Sequence, residues 1–227
     1  MLVLGDAHAA DPENRRRLLA AYEASGAEIA LHVGDLEYYD LPVPTWFVAG
    51  NNEDFDVIDA LRSSGTGSDT PEGGPEIATE VRNAHLIASD LVEVRGLTVL
   101  GLSGNYAPTR YDYDRADLAD DRRRHFTRAE VERAIERGRE VDVDLLLTHA
   151  APHGLVSYSY DPGIDAIDEL IGAVEPSLCL VGHHHTHAEL TIGETRVVSL
   201  APVWERYYDL DPATLTLERF ETPSERE

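Results

Sequence analysis

Five short apolar runs in this chain each stop at a small cluster of polar residues, and the clusters share a pattern. Leu2 to Leu4 runs into Gly5-Asp6-Ala7-His8, Ile29 to Val33 into Gly34-Asp35, and Thr45 to Ala49 into Gly50-Asn51-Asn52-Glu53. Further on, Val143 to Leu147 is followed by Thr148-His149, and Leu178 to Val181 by Gly182-His183-His184-His185. Runs of four to eight apolar residues bounded by turn signals read as buried strands. Capped helices separate several of them. Asp11, Pro12 and Gly26 mark the start and end of one; Val57, Ile58 and Leu61 give the face of a second. Thr127 and Glu130 form the capping box of a third that ends at Gly138, and Ile164 to Val174 is a fourth that Pro176 stops. Strands alternating with helices give an α/β fold, and in open α/β sheets ligands bind beyond the carboxyl ends of the strands. The five clusters are therefore expected to converge.

Convergence would bring together seven side chains of metal-ligand type: Asp6, His8, Asp35, Asn51, His149, His183 and His185. Hard oxygens mixed with imidazoles suit borderline divalent metals such as manganese, iron or zinc, and the lack of thiolates disfavours a structural zinc site. The inventory suits two ions better than one, because an Asp can bridge. The glycines let the backbone turn sharply as it leaves each strand.

Taken in order, Gly-Asp-x-His, Gly-Asp, Gly-Asn-x-Glu, Thr-His and Gly-His-x-His resemble the motifs of the calcineurin-like metallophosphoesterases, from Gly5 to about Ala201. The resemblance implies two packed mixed β-sheets flanked by helices on both outer faces, and a dinuclear site. It implies Asp6, His8, Asp35 and His185 at one ion, and Asp35, Asn51, His149 and His183 at the other, with Asp35 bridging. It also implies phosphoester hydrolysis by attack of metal-bound hydroxide. Many members of the family have His after the Asn; this chain has Asn52, which can donate a hydrogen bond to a phosphoryl oxygen but cannot deliver a proton. Three outcomes are open: a phosphodiesterase acting on good leaving groups, replacement of the acid by His153 or His184, or a non-catalytic metal-binding scaffold. Phosphodiester hydrolysis is favoured over phosphomonoester hydrolysis. Two stretches, Gly101 to Tyr106 and Thr148 to Pro152, are similar to the lariat-debranching branch, although that branch has Cys where this chain has His8.

Substrate choice is expected from loops. The insertion 105–126 offers Arg110 and Tyr111 as guanidinium and stacking groups for a nucleotide or RNA fragment, or else its tyrosines pack the loop down. Residues 63–76, with four Gly and two Pro, read as a mobile loop. His32 reads as a satisfied core residue, His85 and His125 as surface or packing residues, and His184 as pointing away from its neighbours in an extended segment. Leu91 to Val94 and Leu97 to Leu102 read as a hairpin about Arg95-Gly96, and after Pro176 come strands at Leu178 to Val181, Ala188 to Ile192 and Arg196 to Leu200 and a last hairpin near Tyr207 to Phe220. No linker separates two cores, so 1–227 is expected to be one domain.

Charge narrows the partners. Asp and Glu total 43 against 19 basic residues, all of them Arg, for a formal net charge of -24. Acidic residues are spread through the apolar periodicity and do not form a block, which indicates a folded chain with an acidic surface. That disfavours a broad nucleic-acid or anionic membrane surface. It suits molar salt, where screening removes the self-repulsion. Cys179, the one cysteine, sits in an apolar run and reads as a core residue, and no run approaches the 18 apolar residues of a membrane span. The opening Leu2-Val3-Leu4 is too short for a signal-peptide core, so the expectation is a cytoplasmic protein of a high-salt organism. Dialysis from molar KCl into dilute buffer should lower the unfolding midpoint followed by circular dichroism; an unchanged midpoint would remove the salt-adaptation reading.

Overall fold

The computed structural model describes residues 1–64 and 79–224. The stretch 63–76 therefore lies almost wholly outside the described residues. Twelve strands form two six-stranded mixed sheets among these residues. The first holds β1 (Leu2–Leu4), β2 (Ala30–His32), β3 (Asp40–Phe47) and β4 (Arg82–Leu86), all parallel, with β11 (Arg206–Asp211) and β12 (Thr216–Glu221) added antiparallel beside β1. The second holds β6 (Leu97–Leu102), β7 (Leu145–Thr148), β8 (Leu178–Val181) and β10 (Thr195–Ser199) in parallel, closed at its edges by antiparallel β5 (Asp90–Val94) and β9 (Ala188–Ile192).

Alternation along the strands explains the layering, since successive side chains point to opposite faces. Val3, Leu31, Val48, Leu145, Leu147, Leu178 and Leu180 face inward and form one apolar layer shared by both sheets. Leu2, Leu4 and Phe47 turn outward onto the helices α1 (Pro12–Ser25) and α2 (Phe55–Ser64), with Leu18, Ala21, Val57 and Ile58. Leu146, Cys179 and Val181 turn outward on the other side, onto α3 (Arg128–Gly138) and α4 (Asp165–Val174). The result is helix, sheet, sheet, helix. Cys179 is fully buried in this packing, where burial pushes its thiol up to about 12.

The caps form as the sequence requires. Asp11 accepts from the backbone N–H groups of Glu13 and Asn14, and Gly26 closes α1 in the left-handed region at φ 59°. Two differences stand out. β3 spans Asp40–Phe47 and not Thr45 to Ala49: it carries Pro42 and Pro44 through an irregularity between Asp40 and Thr45, which hides its first half from the apolar pattern. β4 has no apolar pattern of its own, because Arg82, Asn83 and His85 interrupt its apolar residues; the His85 ring stacks on Trp46.

Glu130 ties three segments together. Its carboxylate accepts from Arg62 of α2 at 2.8 Å, from Arg115 at 2.6 Å and from the Thr127 N–H at 2.9 Å. Burial alone would push this carboxyl up, but the two guanidinium groups outweigh it and hold Glu130 below the ordinary value of 4.5. A depressed carboxyl stabilises the fold above its unfolded-state value and loses that contribution as pH falls through the folded value. Glu130→Gln, which leaves two arginines without their carboxylate, should cost roughly 3 kcal/mol at neutral pH by denaturant titration. The gap to the native chain should narrow as pH falls below the folded value.

Candidate metal centre

The carboxyl ends of β1, β2, β3, β7 and β8 lie side by side, and the segments that leave them meet. Nitrogen and oxygen atoms of Asp6, His8 and His185 lie within 4.8 Å of one another, and so do those of Asp6, Asp35 and His149. His8 Nε2 is 3.2 Å from His185 Nε2 and 3.4 Å from Asp35 Oδ2. His149 Nε2 is 3.0 Å from Asn51 Oδ1 and 3.4 Å from Asp35 Oδ1. Asn105 reaches from the end of the β6 segment, its amide 3.2 Å from Asn51 Oδ1 and 3.3 Å from His183 Nε2. Thus all seven residues named from the sequence are neighbours, with Asp35 between the two groups.

Their backbone conformation is unusual. His8, Asp35, His183 and His185 all have positive φ, between 46° and 71°. A non-glycine residue there is uncommon, and such residues collect at functional sites where the surrounding structure over-determines them. The left-handed turns at His183 and His185 also overturn the extended reading of that loop. His184 does not point away; its ring packs edge-on to His183, 5.0 Å between centroids, and 5.9 Å from Tyr158. Two glycines make the approach possible. A side chain at Gly34, whose φ is 101°, would meet His149 Nδ1, and one at Gly50 would strike Asp35.

The donors available to these atoms are used up on one side only. His149 Nδ1 donates to the Val33 carbonyl at 2.9 Å, which turns the lone pair of Nε2 toward Asn51 and Asp35. His8 Nδ1 sits 2.7 Å from Glu37 Oε1, which likewise turns Nε2 toward His185 and Asp35. Asp6 is fully buried; its Oδ1 accepts from the His183 N–H at 2.7 Å, while Oδ2 has no hydrogen-bond partner. Burial pushes Asp6 up, whereas Asp35 is held down, because His149 and two bonds from Asn52 outweigh the burial. Lone pairs facing lone pairs and an orphaned carboxylate oxygen are what a divalent cation would satisfy, and the oxygen and imidazole donors fit the metals named above.

A further group, with no role assigned from sequence, holds the loops in place. Glu53 accepts from the N–H groups of Leu36, Glu37 and Gly50 at 3.1 to 3.2 Å and from the Tyr39 hydroxyl at 2.6 Å. It thereby locks the turn that carries Asp35 to the turn that carries Asn51. Burial and then the nearby Asp35 charge push its carboxyl up to about 7, against the pull of its donors. Asn52 donates from its backbone and side chain to the two Asp35 oxygens, at 2.7 and 2.8 Å. The Gly-Asn-x-Glu spacing was the available signal for both.

Other expectations need correction. His153 does not line the centre: its ring and backbone N–H both engage Asp168 on α4, at 2.5 and 3.1 Å. Tyr111 is turned into the outer core against Tyr106 and Phe126, with Arg128 over its ring, so it packs the insertion down. Arg110 instead contacts Tyr113. The insertion does reach the site, through Asn105 at its start and through Arg124, which lines a depression of about 500 Å³ with Asn51, Asn52, Glu37 and Asp121. His32 is buried as expected, yet it is not fully satisfied: Nδ1 accepts from Gly34, Nε2 has no partner, and burial pulls the ring down to about 3.

The sequence model of the family described as calcineurin-like phosphoesterase matches residues 1–187. The chain belongs to this family. No curated protein matches the sequence of this phosphoesterase. Its fold is shared by solved structures. One superposes with a TM-score of 0.70 at 14% identity over 98% of each chain. The protein TT1561 of Thermus thermophilus gives 0.64 at 18% identity, with 98% of this chain and 99% of that one covered. The structure titled GAP50, the anchor in the inner membrane complex of Plasmodium, gives 0.52 at 10% identity over 90% of this chain and 72% of that one. Among the described residues no helix is long and apolar enough to cross a membrane.

In this phosphoesterase, Glu53→Ala would strand three backbone donors and a hydroxyl. Each such loss costs about 1 to 3 kcal/mol when the group stays dry. Thermal unfolding should therefore drop by several degrees, and affinity for a divalent ion, measured by calorimetry, should fall by about 10- to 100-fold as the two turns separate.

Proposed function

We propose that this phosphoesterase holds two divalent ions and hydrolyses a small or nucleic-acid-derived phosphodiester. The observation that supports it most is the convergence of ligand-type atoms: Asp6 Oδ2 without a donor, and the His8 and His185 Nε2 atoms 3.2 Å apart beside Asp35. Asp6, His8, Asp35 and His185 form one ligand set, and Asp35, Asn51, His149 and His183 the other, with manganese, iron or zinc as suitable ions. When bound, such ions lower the pKa of water toward neutrality and neutralise charge on a phosphoryl group.

The protein's own residues do the rest. Glu37 and the Val33 carbonyl fix the rings of His8 and His149, and Asn52 fixes the Asp35 carboxylate. Asn52 is exposed at the rim and can give a hydrogen bond to a phosphoryl oxygen, but it has no proton to hand to a leaving group. With His153 held by Asp168 and His184 set against the Tyr158 hydroxyl, the residues around the centre favour esters whose leaving group departs unaided.

Charge supports a diester over a monoester. The depression beside Asn52 is lined by Glu37, Glu53, Asp54 and Asp121 against a single cation, Arg124. A monoester dianion meets twice the repulsion that a diester monoanion meets there. In molar KCl with manganese, bis(p-nitrophenyl) phosphate should turn over at least about tenfold faster than p-nitrophenyl phosphate, a difference of about 1.4 kcal/mol in barrier. The reverse order would make the protein a monoesterase. Asp35→Asn should lower diester turnover by at least about 100-fold and reduce the metal bound per chain, measured by elemental analysis. Unchanged turnover would sink the two-ion mechanism, and metal bound without hydrolysis by the native chain would leave a scaffold.

A further inference from the structure

We propose that the loop between β7 and α4 is a nucleobase subsite, which makes the substrate a phosphoester carrying a single exposed base; this rests on the phosphoesterase reading above. Two large aromatic rings stand in solvent on this loop, Tyr158 at 52% exposure and Tyr160 at 66%. Their centroids are 6.2 Å apart, and the Tyr158 N–H donates to the Tyr160 carbonyl at 3.1 Å, which keeps the pair together. Exposed tyrosines side by side need a reason: in the 105–126 insertion Tyr111 is packed away, and Tyr113, at 43% exposure, has Arg110 over its ring.

Their position supplies one. Both line a pocket of about 200 Å³ together with Ala151, Pro162, Ile164, His183 and Asn105. Asn105 contacts Asn51 and His183, so the pocket shares a wall with the candidate metal centre. A group on a phosphate bound there would extend into it. The volume is below the roughly 300 to 1,000 Å³ of sites for drug-sized ligands, which suits one base and excludes a stacked strand. The apolar lining and the two aromatic rings together suit a planar ring.

The loop is also held ready. Asp161 accepts from the Gly154 and Gly163 N–H groups at 2.9 and 2.8 Å, the His153 ring sits on Asp168, and the Tyr158 hydroxyl lies 3.2 Å from His184 Nδ1. His153 thus pins the loop to α4. Aromatic stacking strengthens binding of a base by roughly 5- to 150-fold, and ordering the loop beforehand spares that gain from being lost.

The test compares adenosine 5′-monophosphate, ribose 5-phosphate and phenyl phosphate by calorimetry on the manganese-loaded protein in molar KCl. Adenosine 5′-monophosphate should bind at least about fivefold more tightly than ribose 5-phosphate. Y158A/Y160A should bring the ratio close to one, and Y158F/Y160F should keep it, since stacking needs the ring and not the hydroxyl. Equal binding of the two nucleotide-derived ligands by the native chain would overturn the subsite, as would a preference that survives Y158A/Y160A. Phenyl phosphate binding as tightly as the nucleotide would overturn the assignment to a base. If none of the three binds while bis(p-nitrophenyl) phosphate is still hydrolysed, the subsite falls and the phosphoesterase reading stands. If neither binding nor hydrolysis is seen, both fall.

Discussion

Two carboxylates held close together beneath a ring of imidazoles are the constraint around which this molecule is arranged. Asp6 and Asp35 offer oxygens within 4.8 Å of one another, and Asp6 has no exposure to water. At an effective dielectric of about 20, two like charges at that distance repel by about 3 to 4 kcal/mol. Nothing in the packing requires this. The repulsion is tolerated because the ends of β1 and β2 are adjacent and parallel, and because the loops beyond them are bonded together, with the Ala7 and His8 N–H groups donating to the Asp35 carbonyl. Left-handed backbone at His8, Asp35, His183 and His185 adds to the cost. A fold that collects this much unfavourable geometry at one place is specialised to compensate it with positive charge.

The two sheets divide that task. The first supplies Asp6, His8, Asp35 and Asn51; the second supplies His149, His183 and His185, together with Asn105. Contacts such as His149 to Val33 and the Gly104 N–H to the Ala49 carbonyl cross from one sheet to the other. The shared apolar layer sets their separation, so the site's spacing is fixed largely by leucines and valines packed between the sheets. Glu53 then fixes the loops locally, with four donors converging on one carboxylate.

Much of this was legible in the sequence, for a physical reason. Runs such as Leu145 to Leu147 are short, continuous and bounded by turn residues, and helices such as Pro12–Ser25 carry their caps in the sequence. The seven polar residues at strand ends follow from those boundaries alone. What could not be read depends on tertiary context. β4 is stabilised by pairing with β3 and by the stack of His85 on Trp46, not by an apolar pattern of its own. Tyr111 and Tyr158 look alike as residues in polar, breaker-rich loops; only packing against Phe126 separates the first from the second, which is left in solvent. Arg110 and Arg124 likewise differ only in where the short 3₁₀ turn Asp120–Arg124 aims the chain.

The net charge of -24 takes on a specific meaning beside this geometry. Many of the arginines are committed: Arg62 and Arg115 to Glu130, Arg123 to Asp56 and Asp59, Arg128 to Asp112, Arg196 to Glu189. They hold segments together and leave the surface field acidic. An incoming phosphate therefore finds little general attraction, and in dilute salt it would be repelled over a Debye length of tens of ångströms. In molar salt that length contracts to about 3 Å, and only charges in direct contact are felt. Recognition then falls to whatever the ligand touches: the proposed ions, Arg124, and rings whose stacking owes little to long-range charge. A molecule whose surface repels its substrate at a distance is driven toward short-range devices, and the pair of exposed tyrosines beside His183 and His184 is of that kind.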